Sequence, residues 1–259
     1  MSNKERIDVL LVQQGLAESR ERAQRLIRAG LVFDGDHRLE KPGHTIDRET
    51  ILRVKGADCP YVSRGGLKLE GALKNFGVAA QDRVVLDLGA STGGFTDCLL
   101  QNGARIVHAI DVGRGQLHEK LRADARVISR EKAHLDLLQP GDFPEPPTLA
   151  VVDLSFISLR RAYPVLLRVL APGAQTIALV KPQFEVGRDL LPRGGVVDNP
   201  ALRGRVLEDL AVAAEYDGFR VLGRMESPIQ GGDGNVEFFL WLEKKEIPCL
   251  LYTSDAADE

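Results

Sequence analysis

From Arg83 onward the chain alternates short apolar runs with stretches of helical periodicity: RVVLDLG, RIVHAIDVG, ARVIS, TLAVVDLSF and AQTIALVKP, followed by FRVLGRMESP and NVEFFLWLE. Parallel neighbours in a sheet need a crossover between them, and a strand–helix rhythm supplies it. The pattern therefore predicts an α/β domain built on a doubly wound, mostly parallel sheet. The last two strands are separated only by the turn residues SPIQGGDGN and are expected to pair antiparallel.

The first of these strands runs into a glycine-rich turn, VVLDLGASTGGFTDCLL. Gly89 lets the backbone turn sharply, the small Ala90 and Ser91 let a ligand approach the main chain, and Gly93, Gly94 and Phe95 open a helix. A dinucleotide site would want G-x-G-x-x-G, whereas these glycines fall as G-x-x-x-G-G. That spacing, with no acid–base histidine in evidence, disfavours a nicotinamide dehydrogenase. The segment instead resembles motif one of the S-adenosylmethionine-dependent methyltransferases, whose fold is Rossmann-like. The resemblance implies that this loop holds the cofactor and that an acid ending the second strand accepts hydrogen bonds from its ribose. Asp111 in HAIDVG, 22 positions after Gly89, fits. His134 falls where the adenine edge would be read, and Asp87 is expected to organise the loop.

Four further residues have a telling order. Lys68 precedes the sheet, Asp153 ends the fourth strand, Lys181 ends the fifth, and Glu237 lies in the last. Ligands of open α/β sheets bind beyond the carboxyl ends of the parallel strands, so Asp153 and Lys181 should arrive at the rim that carries the glycine loop. The Lys-Asp-Lys-Glu order resembles the tetrad of the FtsJ-like ribose 2'-O-methyltransferases. YVSRGGLKL, DLGASTGGFTDCLL, DLSFISL, VKPQFEVG, GGVVDNP and GNVEFFLWL together resemble the TlyA, or hemolysin A, family across residues 5–243. What the resemblance implies is methylation of cytidine 2'-hydroxyls in ribosomal RNA. Such a hydroxyl is a poor nucleophile until its proton is removed. A lysine desolvated beside a second cation can be lowered toward ~7–8 and serve as base. Lys181 is the candidate, with Asp153 orienting it and facing the cofactor, and Glu237 fixing Lys68.

The first 50-odd residues have another character. ESRERAQRLIRAG reads as a helix with Ser19 as N-cap and Gly30 closing it, after a first helix within residues 5–14. Ala23, Leu26 and Ile27 project on one arc and Arg22, Arg25 and Arg28 on the opposite one. Charge alone would make that a solvated face. However, the order RIDVLLVQQGLAESRERAQRLIRAGLVFDGD resembles the small α+β RNA-binding domain named after ribosomal protein S-four. That resemblance implies that Arg20, Arg22, Arg25 and Arg28, joined by Arg64 further on, contact RNA phosphates. The expected organisation is an RNA-binding domain at 1–56, a linker at 57–63, a methyltransferase domain at 64–245, and a non-native or disordered tail at 246–259.

Composition sets the remaining limits. Residues 1–80 hold 14 Lys and Arg against 11 Asp and Glu, within a chain of net charge −3. That excess permits a nucleic-acid partner without requiring one. Three cysteines, widely spaced and odd in number, suit neither a disulfide framework nor a zinc site. With no apolar segment long enough for a membrane span, the reading is a cytoplasmic protein without metal. Two rivals remain: an RNA-docking factor that kept the shape without catalysis, and a membrane-lytic protein, for which no spanning helices or long amphipathic strands are visible.

Overall fold

The computed structural model describes residues 4–17, 19–28, 30–54, 59–187 and 189–246. The chain divides into two compact units, Met1–Cys59 and Pro60–Glu259. Residues 57 and 58 of the expected linker lie outside the described residues, as does all of the expected tail except Glu246. Residues 60–63 fall in the larger unit, where the Val62 amide donates to Asp97 at 2.8 Å.

The smaller unit contains β1 (Lys4–Arg6), α1 (Ile7–Gln13), α2 (Arg20–Arg28), β2 (Val32–Asp34), β3 (His37–Arg38), β4 (Thr45–Asp47) and β5 (Leu52–Val54). β1 pairs antiparallel with β4, and β2 lies between β3 and β5 in a second antiparallel sheet. Ile7, Leu10 and Leu11 of α1 meet Ala23, Leu26 and Ile27 of α2 over Val32 and Leu52, which accounts for the apolar arc of the second helix. Ser19 accepts a hydrogen bond from the Arg22 amide at 3.2 Å, as an N-cap does. The first helix starts at Ile7 rather than Glu5, because Lys4–Arg6 is drawn into pairing with Thr45–Asp47.

The larger unit contains α3 (Gly65–Phe76), β6 (Val84–Leu88), α4 (Gly94–Gln101), β7 (Ile106–Ile110), α5 (Glu119–Arg122), β8 (Val127–Arg130), β9 (Leu149–Val152), α6 (Ala162–Val169), β10 (Gln175–Val180), α7 (Pro200–Asp217), β11 (Phe219–Glu226) and β12 (Phe238–Lys244). Its sheet runs β11-β12-β10-β9-β6-β7-β8. The five strands from β8 to β10 are parallel, and β12 sits antiparallel between β10 and β11. β6 is buried along its whole length, so it reads as an apolar run, interrupted only by the buried Asp87, rather than an alternating one.

Strand order reverses between β6 and its neighbour β9, since one crossover leads outward to β7 and the other sets off on the opposite side. Such a switch point opens a crevice at the carboxyl ends, and the loops after β6 and β9 both open onto it. Among the described residues, no helix is long and apolar enough to cross a membrane.

Candidate active site

The glycine loop after β6 is shaped by close approach. Gly89 has φ +87°, and a Cβ there would sit 2.3 Å from the backbone oxygen of Asp153, so a side chain is excluded twice over. At Gly94 a Cβ would lie 2.2 Å from Ser63 Oγ and 3.0 Å from the Gly66 amide nitrogen. The Ser63–Gly66 turn that opens α3 is thus pressed against the start of α4. That contact brings Lys68, one turn into α3, to the cleft.

Two clefts share this loop. One, of about 550 Å³, is lined by Arg64, Lys68, Ser91, Phe95, Asp153 and Gln230 among others. The second, of about 490 Å³, is lined by Asp111, His134, Leu135, Asp153, Leu154 and Phe156 among others. Gly89, Ser91 and Asp153 border both. Asp111 accepts the Ser91 amide on Oδ2 at 2.8 Å and the Gly113 amide on Oδ1 at 2.6 Å. Each oxygen keeps a lone pair for a ligand hydroxyl. His134 is exposed at the rim of the same cleft.

The four tetrad residues resolve into two pairs. Lys68 Nζ donates to Glu237 Oε2 at 2.5 Å. Lys181 Nζ lies 2.5 Å from Asp153 Oδ1 as an ion pair and donates to Ser155 Oγ at 2.9 Å. Each ammonium therefore finds a carboxylate rather than the other ammonium. Asp153, which lines the cleft of Lys68 and pairs with Lys181, links the two pairs. Glu237 immediately precedes β12 instead of lying within it, and its backbone oxygen receives the Ser227 amide at 2.8 Å.

Behind the loop, Asp87 is fully buried. Burial pushes its carboxyl up to about 7; the Thr96 hydroxyl, donating at 2.6 Å, works the other way, and the Asp153 and Asp111 charges add to the rise. Its Oδ1 has no hydrogen-bond partner. Asp87 is tied to the first turn of α4 through Thr96.

Of the arginines, Arg25 and Arg28 are exposed on α2 and Arg22 is half-buried. Arg20 is tied to the buried Asp8, which also binds Arg6 and Gln24. Arg6 first, then Gln24 and Arg20, hold the Asp8 carboxyl well below the usual carboxylate range against the opposing effect of burial. Arg20 thus carries a structural duty in addition to any contact with RNA. Arg64 is exposed at the mouth of the first cleft and donates to the Gln230 carbonyl at 2.9 Å. Sequence reasoning assigned nothing to Ser155 or Glu185, since neither their type nor their spacing marks them out. Among the described residues, no group of three or more His, Cys, Asp or Glu could hold a metal ion.

The fold, the switch-point glycine loop and the strand-end acid define a methyltransferase. The model of the FtsJ-like methyltransferases matches residues 61–244 and that of the S4 domain residues 5–52. The chain belongs to the FtsJ-like methyltransferases and, within them, to the TlyA group. A Bacillus subtilis protein provisionally named an rRNA methyltransferase, YqxC, is 51% identical over 93% of this chain and 86% of its own length. The 16S/23S rRNA (cytidine-2'-O)-methyltransferase TlyA of Mycobacterium tuberculosis is 44% identical over 93% of this chain and 91% of its own. Among solved structures, a chain of Streptococcus thermophilus provisionally named a hemolysin superposes with a TM-score of 0.76 at 49% identity, covering 96% of this chain and 91% of that one.

Proposed function

We propose that this chain is a cytoplasmic, S-adenosylmethionine-dependent methyltransferase that modifies ribose 2'-hydroxyls of ribosomal RNA, cytidine ribose in particular. The observation that carries this reading is the pair of lysine–carboxylate contacts beside the glycine loop. The residues present suit the cofactor: Gly89 and Gly94 tolerate no side chain, and Asp111 offers free lone pairs at the end of β7. Gly89, Ser91, Gly93, Gly94 and Phe95 would cradle it, Asp111 would hold its ribose, His134 its adenine edge, and Asp153 would face its methyl end. When bound, S-adenosylmethionine supplies a methyl group already activated by the positive charge on sulfur.

The protein's own task is to aim and deprotonate a hydroxyl. Lys181, in its amine form, takes the proton of the 2'-hydroxyl presented at the cleft, and Asp153 at 2.5 Å stabilises the ammonium that results. Lys68, held by Glu237, contributes positive charge where negative charge develops on the ribose oxygen. The assignment of the base rests on the position of Lys181 at the strand end, against Asp153. Arg22, Arg25 and Arg28 on α2, and Arg64 at the cleft mouth, would neutralise phosphates, with Arg20 contributing what Asp8 leaves free. Such binding weakens as salt rises.

The decisive experiment incubates the purified protein and isotope-labelled S-adenosylmethionine with each ribosomal subunit and maps ribose methylation. Label on a cytidine 2'-oxygen is expected. Tight cofactor binding with no label in any ribosomal RNA would favour an RNA-docking factor instead.

A further inference from the structure

The loop after β9 carries Asp153 and the loop after β10 carries Lys181, and several contacts join them. Besides the Lys181 contacts to Asp153 and Ser155, the rings of Phe156 and Phe184 lie 5.0 Å apart. Beyond these, Glu185 reaches across: Oε1 accepts the Leu159 amide and Oε2 the Ser158 hydroxyl, each at 2.7 Å. Between the two ends of this first loop, Phe156 is 86% exposed and has φ +67°. A bulky residue in the left-handed region is strained and persists only where its surroundings fix the chain on both sides. Lys181 fixes one side, and Glu185 fixes the other.

A carboxylate placed here is costly. Burial raises the Glu185 carboxyl, while the Leu159 amide, the Ser158 hydroxyl and the Arg160 charge work in the opposite direction. An apolar residue would avoid that cost but would leave the amide that opens the turn at Leu159 without an acceptor. Most of the residues that would hold the cofactor, the glycine loop and Asp111, follow β6 and β7 and do not touch Glu185, which meets only the loop of Asp153.

We infer that Glu185 is a positioning residue for methyl transfer: it pins the loop bearing Asp153 to the loop bearing Lys181, and so sets the geometry of proton removal. The inference rests on the proposed methyltransferase reading. Full-length wild type, Glu185→Ala and Glu185→Gln are compared by steady-state kinetics on ribosomal RNA, by calorimetric affinity for S-adenosylmethionine, and by amide hydrogen exchange.

Glu185→Ala is expected to lower kcat about 100-fold, the scale of a misplacement near 1 Å. Cofactor affinity should fall by less than about tenfold, because Gly89, Ser91 and Asp111 are untouched even though Asp153 and Leu154 border the same cleft. Exchange at 155–159 should quicken at least tenfold while that at 89–95 is unchanged. Glu185→Gln should recover most of kcat, because its amide oxygen still accepts from Leu159 and the Ser158 hydroxyl can turn to accept from its NH2. A wild-type kcat in the alanine variant overturns the inference. So does an equal loss of cofactor affinity with faster exchange throughout the sheet, or a glutamine variant no better than alanine. If wild type itself transfers no methyl, the functional reading fails, and the exchange at 155–159 still decides whether Glu185 pins the two loops.

Discussion

Lys68 meets Glu237 across 169 positions of sequence, joining the first turn of α3 to the entrance of β12, whereas Lys181 meets Asp153 between the ends of two adjacent parallel strands. Both contacts measure 2.5 Å, and both lysines are nearly covered. The carboxylates differ. Glu237 is 3% exposed and sealed behind its lysine, while Asp153 is 24% exposed and borders both clefts. Lys181 also has a second partner in Ser155. A sealed carboxylate fixes a charge in place, and an open one can meet a ligand. Equal distances therefore hide unequal carboxylates: Glu237 only anchors its lysine, while Asp153 also faces the clefts.

The sharpest way to break this contrast is Lys181→Ala. Losing a general base is expected to lower methyl transfer on the order of 10³-fold while cofactor affinity stays within a few-fold. Undiminished transfer, followed across a pH series on ribosomal substrate, would reassign the base.

Glu237→Ala should act chiefly on the anchor. Removing one member of a buried pair leaves a covered charge without its counter-ion, which costs about 3 kcal/mol. Urea unfolding should register that loss, and methyl transfer should fall with it. If stability is unmoved, Lys68 is solvated well enough to need no anchor and the contrast collapses.

Asp87 shows what a buried acid does behind the glycine loop, where its side chain accepts from the Thr96 hydroxyl. Unfolded, it loses its proton near 3.8, but the folded protein keeps that proton to about 7. Stability is therefore expected to decline as pH rises through that interval and to level off above it. Asp87→Asn has no proton to lose and should lack the decline, gaining about 4 kcal/mol relative to wild type between pH 4 and pH 8. Thermal melts at the two pH values check this, and the same difference at both would refute it.

The smallest effect concerns the second partner of Lys181. Ser155→Ala removes one exposed hydrogen bond and leaves the Asp153 contact, so a decrease of about fivefold in kcat with unchanged stability is expected. An effect as large as that of Lys181→Ala would promote Ser155 from a neighbour to an essential group.

Much of this architecture was legible in the chain. The parallel sheet follows from apolar runs separated by crossovers, and the antiparallel end from the short SPIQGGDGN turn. The buried arc of α2 follows from helical spacing, and the reach of Asp111 toward the glycine loop from its register with Gly89. Boundaries were less legible. Glu5 and Arg6 read as helix until Thr45–Asp47 offers Lys4–Arg6 a strand partner, and local periodicity contains no term for a partner 40 residues away.

The sequence by itself determined the fold class, the glycine loop and the identity of the four charged groups, because strand rhythm, glycine spacing and residue type are local properties. Only the tertiary structure decided that Arg20 serves Asp8, that Lys181 has a second partner in Ser155, and that Glu185 spans two loops. The reason is physical: a charge is neutralised by whatever group lies within a few ångströms, and a chain folded through seven strands sets those neighbours by topology, not by distance along the sequence.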